Sequence, residues 1–384
     1  MRIALVSDTY TPQVNGVTTV LRRIVEALGS AGHHAAVVAP AYPGQEPDGA
    51  TELRLRSLAF PPYPAIRLSL PAPGRLARFL DAFRPDLVHV GTEGPLGLAG
   101  RRYALRRQVP LVTSYHTHFP RYCRHYGVPA LEPLVWSYVT WFHRPAVMTH
   151  TPGEQARSEL LAHGLTRAAV WGRGVDTRRF HHERRDMRLR RRLGIADGDV
   201  AVLHVGRLAA EKNLDTLVSA WMTAREAVGP RVRFIIAGDG PMGARLSAAM
   251  PWAIRFGFLE IPLLATLYAS ADLCVLPSAT ETCGLVALEA MASGLPVIAA
   301  DAGGFRESVS SGRTGILVSP QDAAGFAGAI ARLALNAPLR RRMSGEARLA
   351  AVARDCALED AELLDQYRRV LGFETERDAW RAAS

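Results

Sequence analysis

The chain has 384 residues, of which 48% are apolar and 21% charged, and its 46 basic and 36 acidic side chains give a net charge of +10. This composition excludes a disordered, collagenous or disulfide-stapled protein, and no apolar run approaches the ~20 residues that a membrane-spanning helix needs. An acid at Asp8 excludes a secretory signal peptide, and four scattered cysteines lack the C-x-x-C spacing of a zinc site, so we expect a cytoplasmic protein.

Short runs of valine, isoleucine and leucine alternate with longer amphipathic segments along the whole chain. We predict strands over 2–7, 34–40, 86–90, 110–114, 146–149, 200–206, 232–237, 254–257, 273–277, 296–299 and 316–318. Continuously apolar strands separated by helices indicate parallel sheets that are covered on both faces. The pattern therefore predicts an α/β protein with two doubly wound, Rossmann-like domains that face each other.

The regular alternation of predicted strands and helices is interrupted by an arginine-rich stretch in the middle of the chain. We predict an N-terminal domain over 1–183, a C-terminal domain over 184–357, and a final helix with a loose tail over 358–384, the helix packing back toward the N-terminal domain. Residues 1–183 carry 21 basic and 13 acidic side chains, whereas 184–384 carry 25 and 23. This asymmetry fits an anionic partner, although a coding bias toward arginine explains it equally well.

In open parallel sheets, ligands bind outside the carboxyl ends of the strands, where each strand enters a loop. The first such junction contains Asn15 and Gly16, a turn where backbone can approach a ligand at a helix N-terminus. The second contains His116, which can donate to a substrate hydroxyl or move a proton. Two other roles stay open for His116, namely binding a metal ion together with His118 and a purely structural role at the end of the strand.

The third junction carries Arg207 and Lys212, and Lys212 is the only lysine among the 46 basic residues. Arginine offers a planar fork, whereas lysine offers a compact charge that can follow a moving oxygen. The two cations can therefore converge on one phosphate group, which gives a physical reason for the single lysine to persist.

The fourth junction places Glu281 before a helix and Glu289 inside it, with Gly284 between them. Two glutamates suggest a glycosidase, but eight helical positions rise ~12 Å, which exceeds the separation of roughly 5–9.5 Å that a glycosidase needs. Two carboxylates that hold hydroxyl groups at opposite ends of a long ligand fit better. The fifth junction, with Gly303 and Gly304, predicts a close backbone approach and is unspecific.

A dinucleotide fingerprint, G-x-G-x-x-G, is matched by Gly238, Gly240 and Gly243. Pro241 and the lack of an acid at the end of the next strand weaken the match. An oxidoreductase is therefore kept only as a hypothesis. A non-catalytic nucleic-acid binder, a second hypothesis, would explain the net charge of +10 but would leave Glu281 and Glu289 without a role.

Motifs over most of residues 200–320 resemble the family 4 glycosyltransferases, retaining enzymes of the GT-B fold that hold the donor in a cleft between two Rossmann-like domains. The carrying segments are Val205-Gly-Arg207…Lys212, Ala237-Gly-Asp-Gly-Pro241, Glu281-x7-Glu289 and Gly303-Gly304. One departure is Cys283, because the family usually has phenylalanine before the glycine at 284.

The resemblance implies a role for each matching residue. Arg207 and Lys212 hold the donor diphosphate, Glu289 binds the ribose hydroxyls, and Glu281 contacts the transferred sugar. The remaining implied contacts come from the backbone amides of Gly284, Leu285 and Val286 near the sugar and phosphate, from Gly16 beside the diphosphate, and from His116 facing the sugar. The catalytic residues are then Glu281, His116, Lys212 and Arg207, with no metal and no cofactor, since the nucleotide sugar is a substrate.

Within the family, residues 114–127, 131–143 and 61–71 resemble a subgroup that acts on membrane lipids, including GDP-mannose-dependent mannosyltransferases and diacylglycerol glycosyltransferases. We expect transfer of an α-mannosyl unit from GDP-mannose to a lipid or glycolipid acceptor, with a UDP-sugar-dependent diacylglycerol glycosyltransferase as the alternative. Aromatic residues beside Arg121, Arg124 and Arg144 suit binding to the anionic inner face of a membrane. We expect no nucleic acid as a partner. A buried core helix over residues 136–142 is the competing interpretation.

Overall fold

The structure, a computed structural model, describes residues 1–13, 15–44, 51–60, 63–70, 72–118, 120, 123, 127–172 and 174–373. The chain divides into two compact units. The first comprises Met1–Gly172 with the chain from Asp360 onward, and the second comprises Arg173–Glu359. The predicted domain boundaries lie after residues 183 and 357, and they stay predictions.

The first unit is built on a seven-stranded sheet in which all neighbouring strands are parallel. Its strands in spatial order are β3 (Glu52–Leu55), β2 (His34–Pro40), β1 (Arg2–Val6), β6 (Leu87–Val90), β7 (Leu111–Ser114), β8 (Met148–Thr151) and β9 (Ala168–Val170). A separate antiparallel pair consists of β4 (Ser57–Phe60) and β5 (Tyr63–Ser69). Its helices are α1 (Gly16–Ser30), α2 (Pro73–Phe83), α3 (Pro95–Arg107), α4 (Glu132–His143) and α5 (Glu154–Ala162).

The second unit is built on a six-stranded parallel sheet. Its strands in spatial order are β12 (Ile254–Phe256), β11 (Val232–Ala237), β10 (Val200–Val205), β13 (Leu273–Leu276), β14 (Val297–Ala300) and β15 (Gly315–Val318). Its helices are α6 (Met187–Arg192), α7 (Leu214–Val228), α8 (Gly243–Ala249), α9 (Ile261–Ser270), α10 (Leu285–Ala292), α11 (Phe305–Ser308), α12 (Ala323–Leu335) and α13 (Ala337–Val352). The strand order reverses between β10 and β13, which is where ligands bind in sheets of this kind.

The predicted α/β class with two parallel sheets is confirmed, and all eleven predicted strands occur within two residues of their predicted limits. Their continuous apolar character follows from burial on both faces, because helices cover each sheet. Four strands were missed: β3, β4, β5 and β9. In β3 the pattern is obscured by Arg54, whose buried guanidinium donates to the carbonyls of Thr11 (2.8 Å) and Pro40 (3.1 Å).

The last helix, α14 (Cys356–Val370), begins in the second unit and continues in the first. Its Tyr367 is fully buried, and the hydroxyl lies 2.5 Å from Nδ1 of His89 on β6. Arg23 on α1 also pairs with Asp360 of this helix at 2.6 Å. These contacts attach the part of α14 from Asp360 onward to the first unit.

The arginine-rich stretch in the middle of the chain is partly structural. Arg190 is 1% exposed and donates to the carbonyls of Ser270 (2.8 Å) and Asp199 (2.7 Å) and to Asp272 (2.9 Å). Arg185 also pairs with Asp272. Buried and paired arginines add little to the field that an anionic partner would meet. Among the described residues, no helix is both long and apolar enough to cross a membrane.

Candidate active site

The loop after β10 carries the two cations that the sequence predicts to bind phosphate. Arg207 follows the strand almost directly, and Lys212 ends a 3-10 turn (Ala210–Lys212) just before α7. The Arg207 guanidinium pairs with Glu211, but its side chain stays 52% exposed whereas that of Glu211 is 7% exposed. Arg207 is therefore accessible to an anion while a buried carboxylate holds it in place.

Lys212 and Glu281 form an ion pair although 69 positions separate them. They meet because β10 and β13 are neighbours, so that the loops at their carboxyl ends lie side by side. The hydroxyls of Ser278 and Thr280 in the second loop both donate to the backbone carbonyl of Glu211 in the first, at 3.4 and 3.1 Å. The two loops are thus connected at the edge of the sheet where the strand order reverses.

The glycine pair after β14 supports the loop that carries Glu281. The amide of Gly304 donates to the carbonyl of Glu281 at 2.7 Å. Gly303 has a φ of +54°, and a Cβ built on it would lie 2.2 Å from that same carbonyl oxygen. The close approach expected from these glycines is therefore made to another protein loop.

The glycines of the dinucleotide fingerprint have a similar structural role. A Cβ on Gly238 would lie 1.9 Å from the carbonyl oxygen of Gly206, and one on Gly240 would lie 2.5 Å from that of Leu208. The amide of Leu208 donates to the carbonyl of Asp239 at 2.8 Å. The fingerprint glycines thus allow the loop after β11 to pack against the loop that carries Arg207, which explains them without a dinucleotide.

Helix α10 presents the remaining residues of the predicted donor site. Gly284 precedes it with a φ of +68°, and Leu285 and Val286 form its first turn, so that their amides belong to the helix N-terminus. Glu289 lies one turn further along and is partly buried. Tyr268 on α9 donates its hydroxyl to Glu289 Oε2 at 3.2 Å, and burial raises the pKa of this carboxyl group to about 7.

The two glutamates of this segment have different surroundings. Glu281 pairs with a cation, Lys212, and its side chain is 17% exposed. Glu289 instead accepts from the neutral Tyr268. Separate partners agree with the expectation that the carboxylates hold different parts of a ligand and do not act together on one bond.

His204 was missed in the sequence because it lies within an otherwise apolar strand. It is buried, and its Nδ1 lies 2.8 Å from the carbonyl of Val275, to which it must donate. Burial lowers the pKa of His204 to about 4, and both Lys212 and Glu281 are close enough to influence it. The ring is therefore neutral, and its Nε2 has no hydrogen-bond partner among the described residues. A polar residue inside an apolar strand was the available signal.

In the first unit, Gly16 lies at the predicted helix N-terminus. It is the first residue of α1, and the side chain of Asn15 caps the helix by accepting from the amide of Thr18 at 2.8 Å. The Asn15 side chain also donates to the hydroxyl of Thr9 at 3.0 Å. Among the described residues, no atom outside the chain neighbours of Gly16 and its own helix backbone lies within 4 Å of the point where a Cβ on Gly16 would be. The α1 N-terminus is thus open beside Gly16, as an approaching ligand would require.

His116 follows β7 and differs from the nearby His118 in its surroundings. Burial, and secondarily His143, lower the pKa of His116 to about 4, so that it is neutral at physiological pH. His118 is buried and pairs with Glu159. In the described part of the chain, the only group of three potential metal ligands is formed elsewhere, by His181, His182 and Glu183.

Two family models match the chain, one in each half. The model described as "Glycosyltransferase Family 4" matches residues 14–179, and the model described as "Glycosyl transferases group 1" matches residues 199–336. The second match contains every predicted donor-site residue of the second unit.

Individual relatives are similar over most of the chain. A GDP-mannose-dependent alpha-mannosyltransferase of Mycobacterium tuberculosis (strain CDC 1551 / Oshkosh) is 37% identical, over 99% of this chain and 99% of its own. An alpha-monoglucosyldiacylglycerol synthase of Streptococcus pneumoniae (strain ATCC BAA-255 / R6) is 29% identical, over 78% of this chain and 71% of its own. The solved structure of Anabaena Alr3699/HepE in complex with UDP has a TM-score of 0.76 at 20% identity, covering 96% of this chain and 100% of that chain.

Proposed function

The chain belongs to glycosyltransferase family 4 and is a hexosyltransferase of the GT-B fold, and on this premise we propose that it transfers an α-mannosyl unit from GDP-mannose to a lipid or glycolipid acceptor with retention of configuration. The mycobacterial relative, which aligns with it from end to end, is named for this donor and sugar. The observation that carries the proposal is the Lys212–Glu281 pair, next to Arg207, at the edge where the strand order reverses.

The chemistry follows from where charge develops. When the bond between the sugar and the diphosphate breaks, negative charge grows on the diphosphate and positive charge on the sugar ring. Arg207, Lys212 and the N-terminal amides of α10 are held in place before the reaction, so they stabilise the first charge without reorganising. Without donor the two cations already have carboxylate partners, Glu211 and Glu281. A diphosphate of higher charge can take over both cations, which leaves Glu281 available to the sugar.

Contacts to the rest of the donor follow from the same proposal. Glu289 accepts hydrogen bonds from the ribose hydroxyls, for which its carboxyl group must be ionised. His116, which is neutral, can exchange hydrogen bonds with a sugar hydroxyl without adding charge to the developing cation. Gly16 leaves room beside the α1 N-terminus for the diphosphate.

The proposed reaction needs no metal ion, because fixed cations do what a divalent ion does in other nucleotide-sugar enzymes. Arg207 and Lys212 supply two positive charges, and the α10 N-terminus adds a partial one. Turnover in the presence of EDTA is expected to equal turnover without it. A rate that vanishes with the chelator and returns with magnesium would contradict this part of the proposal.

A screen of nucleotide sugars by thermal stabilisation tests the donor. Because a ligand that binds only the folded chain raises its melting temperature, by an amount that grows with the ratio of ligand concentration to dissociation constant, we expect GDP-mannose and GDP to stabilise the protein and UDP-sugars not to. Transfer of labelled mannose to a lipid extract then measures turnover. Stabilisation by UDP-glucose alone would instead support a UDP-sugar-dependent diacylglycerol glycosyltransferase, to which the pneumococcal relative's name points.

To act on a lipid acceptor, the chain must contact a membrane surface. Helix α4 has an exposed apolar face that suits this contact. We define the α4 surface as the exposed apolar residues of this helix and the preceding turn: Val128 (44% exposed), Leu131 (49%), Leu134 (67%), Tyr138 (37%) and Trp141 (51%). Val139 and Phe142 on the other side of the helix are fully buried. The helix is thus neither wholly core nor wholly exposed, and an apolar exposed face of this kind suits the interface of a bilayer.

Positive charge lies next to the α4 surface. The Arg101 guanidinium lies 4.1 Å from the centre of the Trp141 ring, and Arg144 follows the helix. A groove of about 840 Å³ runs along the helix, and both Trp136 and Arg144 contribute to its lining. Arg121 and Arg124, which the sequence also suggested for this role, lie outside the described residues. We infer that the α4 surface docks on anionic lipid.

Replacing Leu134 by serine is expected to weaken binding to anionic vesicles of phosphatidylglycerol and phosphatidylcholine roughly five- to tenfold, because an apolar side chain no longer leaves water. Sedimentation with the vesicles measures the effect, and added salt should weaken the wild type as well. Leu335→Ser is the matched control, since Leu335 is 68% exposed on the second unit. Equal losses for both variants, or equal binding to purely zwitterionic vesicles, would count against docking through α4.

A further inference from the structure

Tyr268 is a buried residue for which the family resemblance supplies no role. It lies on α9 with 0% of its surface exposed, and its ring contacts Phe180 edge to face with centroids 5.8 Å apart. Its hydroxyl lies 3.2 Å from Glu289 Oε2. An ionised carboxylate can only accept, so the phenol donates. One oxygen of Glu289 is therefore held by the protein, which leaves Oε1 for a ligand.

We propose that Tyr268 is a positioning residue for the donor nucleotide: by donating to Glu289 Oε2, it holds the carboxylate in the orientation in which Oε1 accepts from the ribose. This inference rests on the proposed role of Glu289. A glutamate side chain has three rotatable bonds, and fixing them on binding costs entropy. A carboxylate that is already fixed in the free protein avoids most of this loss, so that more of the interaction appears as affinity.

The same hydrogen bond affects the ionisation that ribose binding requires. Burial raises the pKa of Glu289 to about 7, and the bond from Tyr268 acts in the opposite direction. Among the described residues, Cys274 on β13 is the other titratable group that interacts electrostatically with Glu289, and burial raises the pKa of its thiol, which stays neutral. Without the Tyr268 hydroxyl, the pKa of Glu289 rises further, and a smaller fraction is ionised at neutral pH.

Tyr268→Phe tests the proposal, because it removes the hydroxyl and keeps the buried ring. Calorimetry between pH 6 and 8.5 with GDP-mannose, which has no phosphate that titrates in this range, is expected to show a dissociation constant about tenfold higher at pH 7. In the wild type, affinity should rise with pH through a midpoint near 7, as the carboxyl group ionises. In the variant this midpoint should move to higher pH, a change that a general loss of packing would not produce.

Deoxynucleotides show whether the effect acts through the ribose. If Tyr268 positions Glu289, the variant should lose less affinity for 2′-deoxy-GDP or 3′-deoxy-GDP than for GDP, because the analogue already lacks a partner of the carboxylate. If UDP-sugars rather than GDP-mannose stabilise the protein in the donor screen, UDP and its deoxy forms are used in place of GDP and its deoxy forms. An equal loss for all three nucleotides would overturn the proposal.

Control variants separate this inference from the proposed function. Tyr103→Phe removes another hydrogen bond from a buried tyrosine to a carboxylate, Asp81 at 3.1 Å in the first unit, and should leave GDP binding unchanged. Glu289→Ala should weaken GDP binding and abolish the preference for GDP over its deoxy forms; if it does neither, the ribose role of Glu289 is wrong. If it does both while Tyr268→Phe binds like wild type, only the role of Tyr268 is wrong.

A second measurement applies if Tyr268→Phe does not fold. Glu289→Gln keeps an oxygen that accepts from Tyr268 but cannot titrate, so its affinity for GDP-mannose, which has no phosphate that titrates in this range, should be independent of pH between 6 and 8.5. An affinity for GDP-mannose that keeps the wild-type pH midpoint in Glu289→Gln would overturn the proposal, since the titrating group would then lie elsewhere.

Discussion

Replacing Lys212 by methionine is expected to lower the rate of sugar transfer by at least about a thousandfold, because a fixed cation that stabilises the departing diphosphate is lost. Lys212→Arg should also lose most activity, since a planar guanidinium cannot follow a moving oxygen as an ammonium does. Initial rates with GDP-mannose measure both variants. The prediction also accounts for Lys212 as the only lysine in a chain with 46 basic residues.

The structure adds a complication, because Lys212 is the partner of Glu281 and its removal leaves a partly buried carboxylate unpaired. The double variant Lys212→Met/Glu281→Gln restores a neutral pair and should recover stability without recovering turnover. Arg313→Met, which breaks the exposed pair with Glu346 (2.6 Å) in the same unit, is the control and should keep wild-type rates. Turnover above a tenth of wild type in a folded Lys212→Met variant would show that this lysine does not act on the leaving group.

Replacing Gly303 by alanine is expected to lower the transfer rate at least a hundredfold, although this glycine touches no predicted ligand atom. The new Cβ would lie 2.2 Å from the carbonyl oxygen of Glu281, so the loop that carries Glu281 must move. The amide of Gly304 would then lose its hydrogen bond to that carbonyl. If Glu281 contacts the sugar as proposed, a misplacement of about 1 Å is enough to lower the rate roughly a hundredfold.

Gly229→Ala separates this displacement from backbone strain. Gly229 has a φ of +70°, against +54° for Gly303, but among the described residues no atom outside its chain neighbours lies within 4 Å of the position of an added Cβ. Both variants therefore place a side chain at a positive φ, a strain that thermal unfolding measures, whereas only Gly303→Ala should lose activity. Similar activity in the two variants would mean that the glycine pair does not position Glu281.

Two residues beside the candidate site were not predicted from the sequence, and the reason is the same for both. His204 lies within a buried strand and Tyr268 on a helix with many buried residues, and in such settings a histidine or tyrosine is ordinarily a part of the core. Their polar atoms become informative only once neighbours are known, namely Val275 for His204 and Glu289 for Tyr268. Neither partner is close in sequence, so no spacing pattern could have indicated the pair.

The sequence by itself determined the α/β class, the positions of the longer strands, and the segments after these strands that carry Arg207, Lys212, Glu281 and Glu289. It could do so because hydrophobic periodicity is local and because parallel strands place their following loops at one edge of the sheet. Only the tertiary structure decided which groups meet. The Lys212–Glu281 pair and the contact between Gly303 and the Glu281 carbonyl depend on strand order. Hydrogen bonds and close contacts act over a few ångströms, and strand order brings distant parts of the chain within that range.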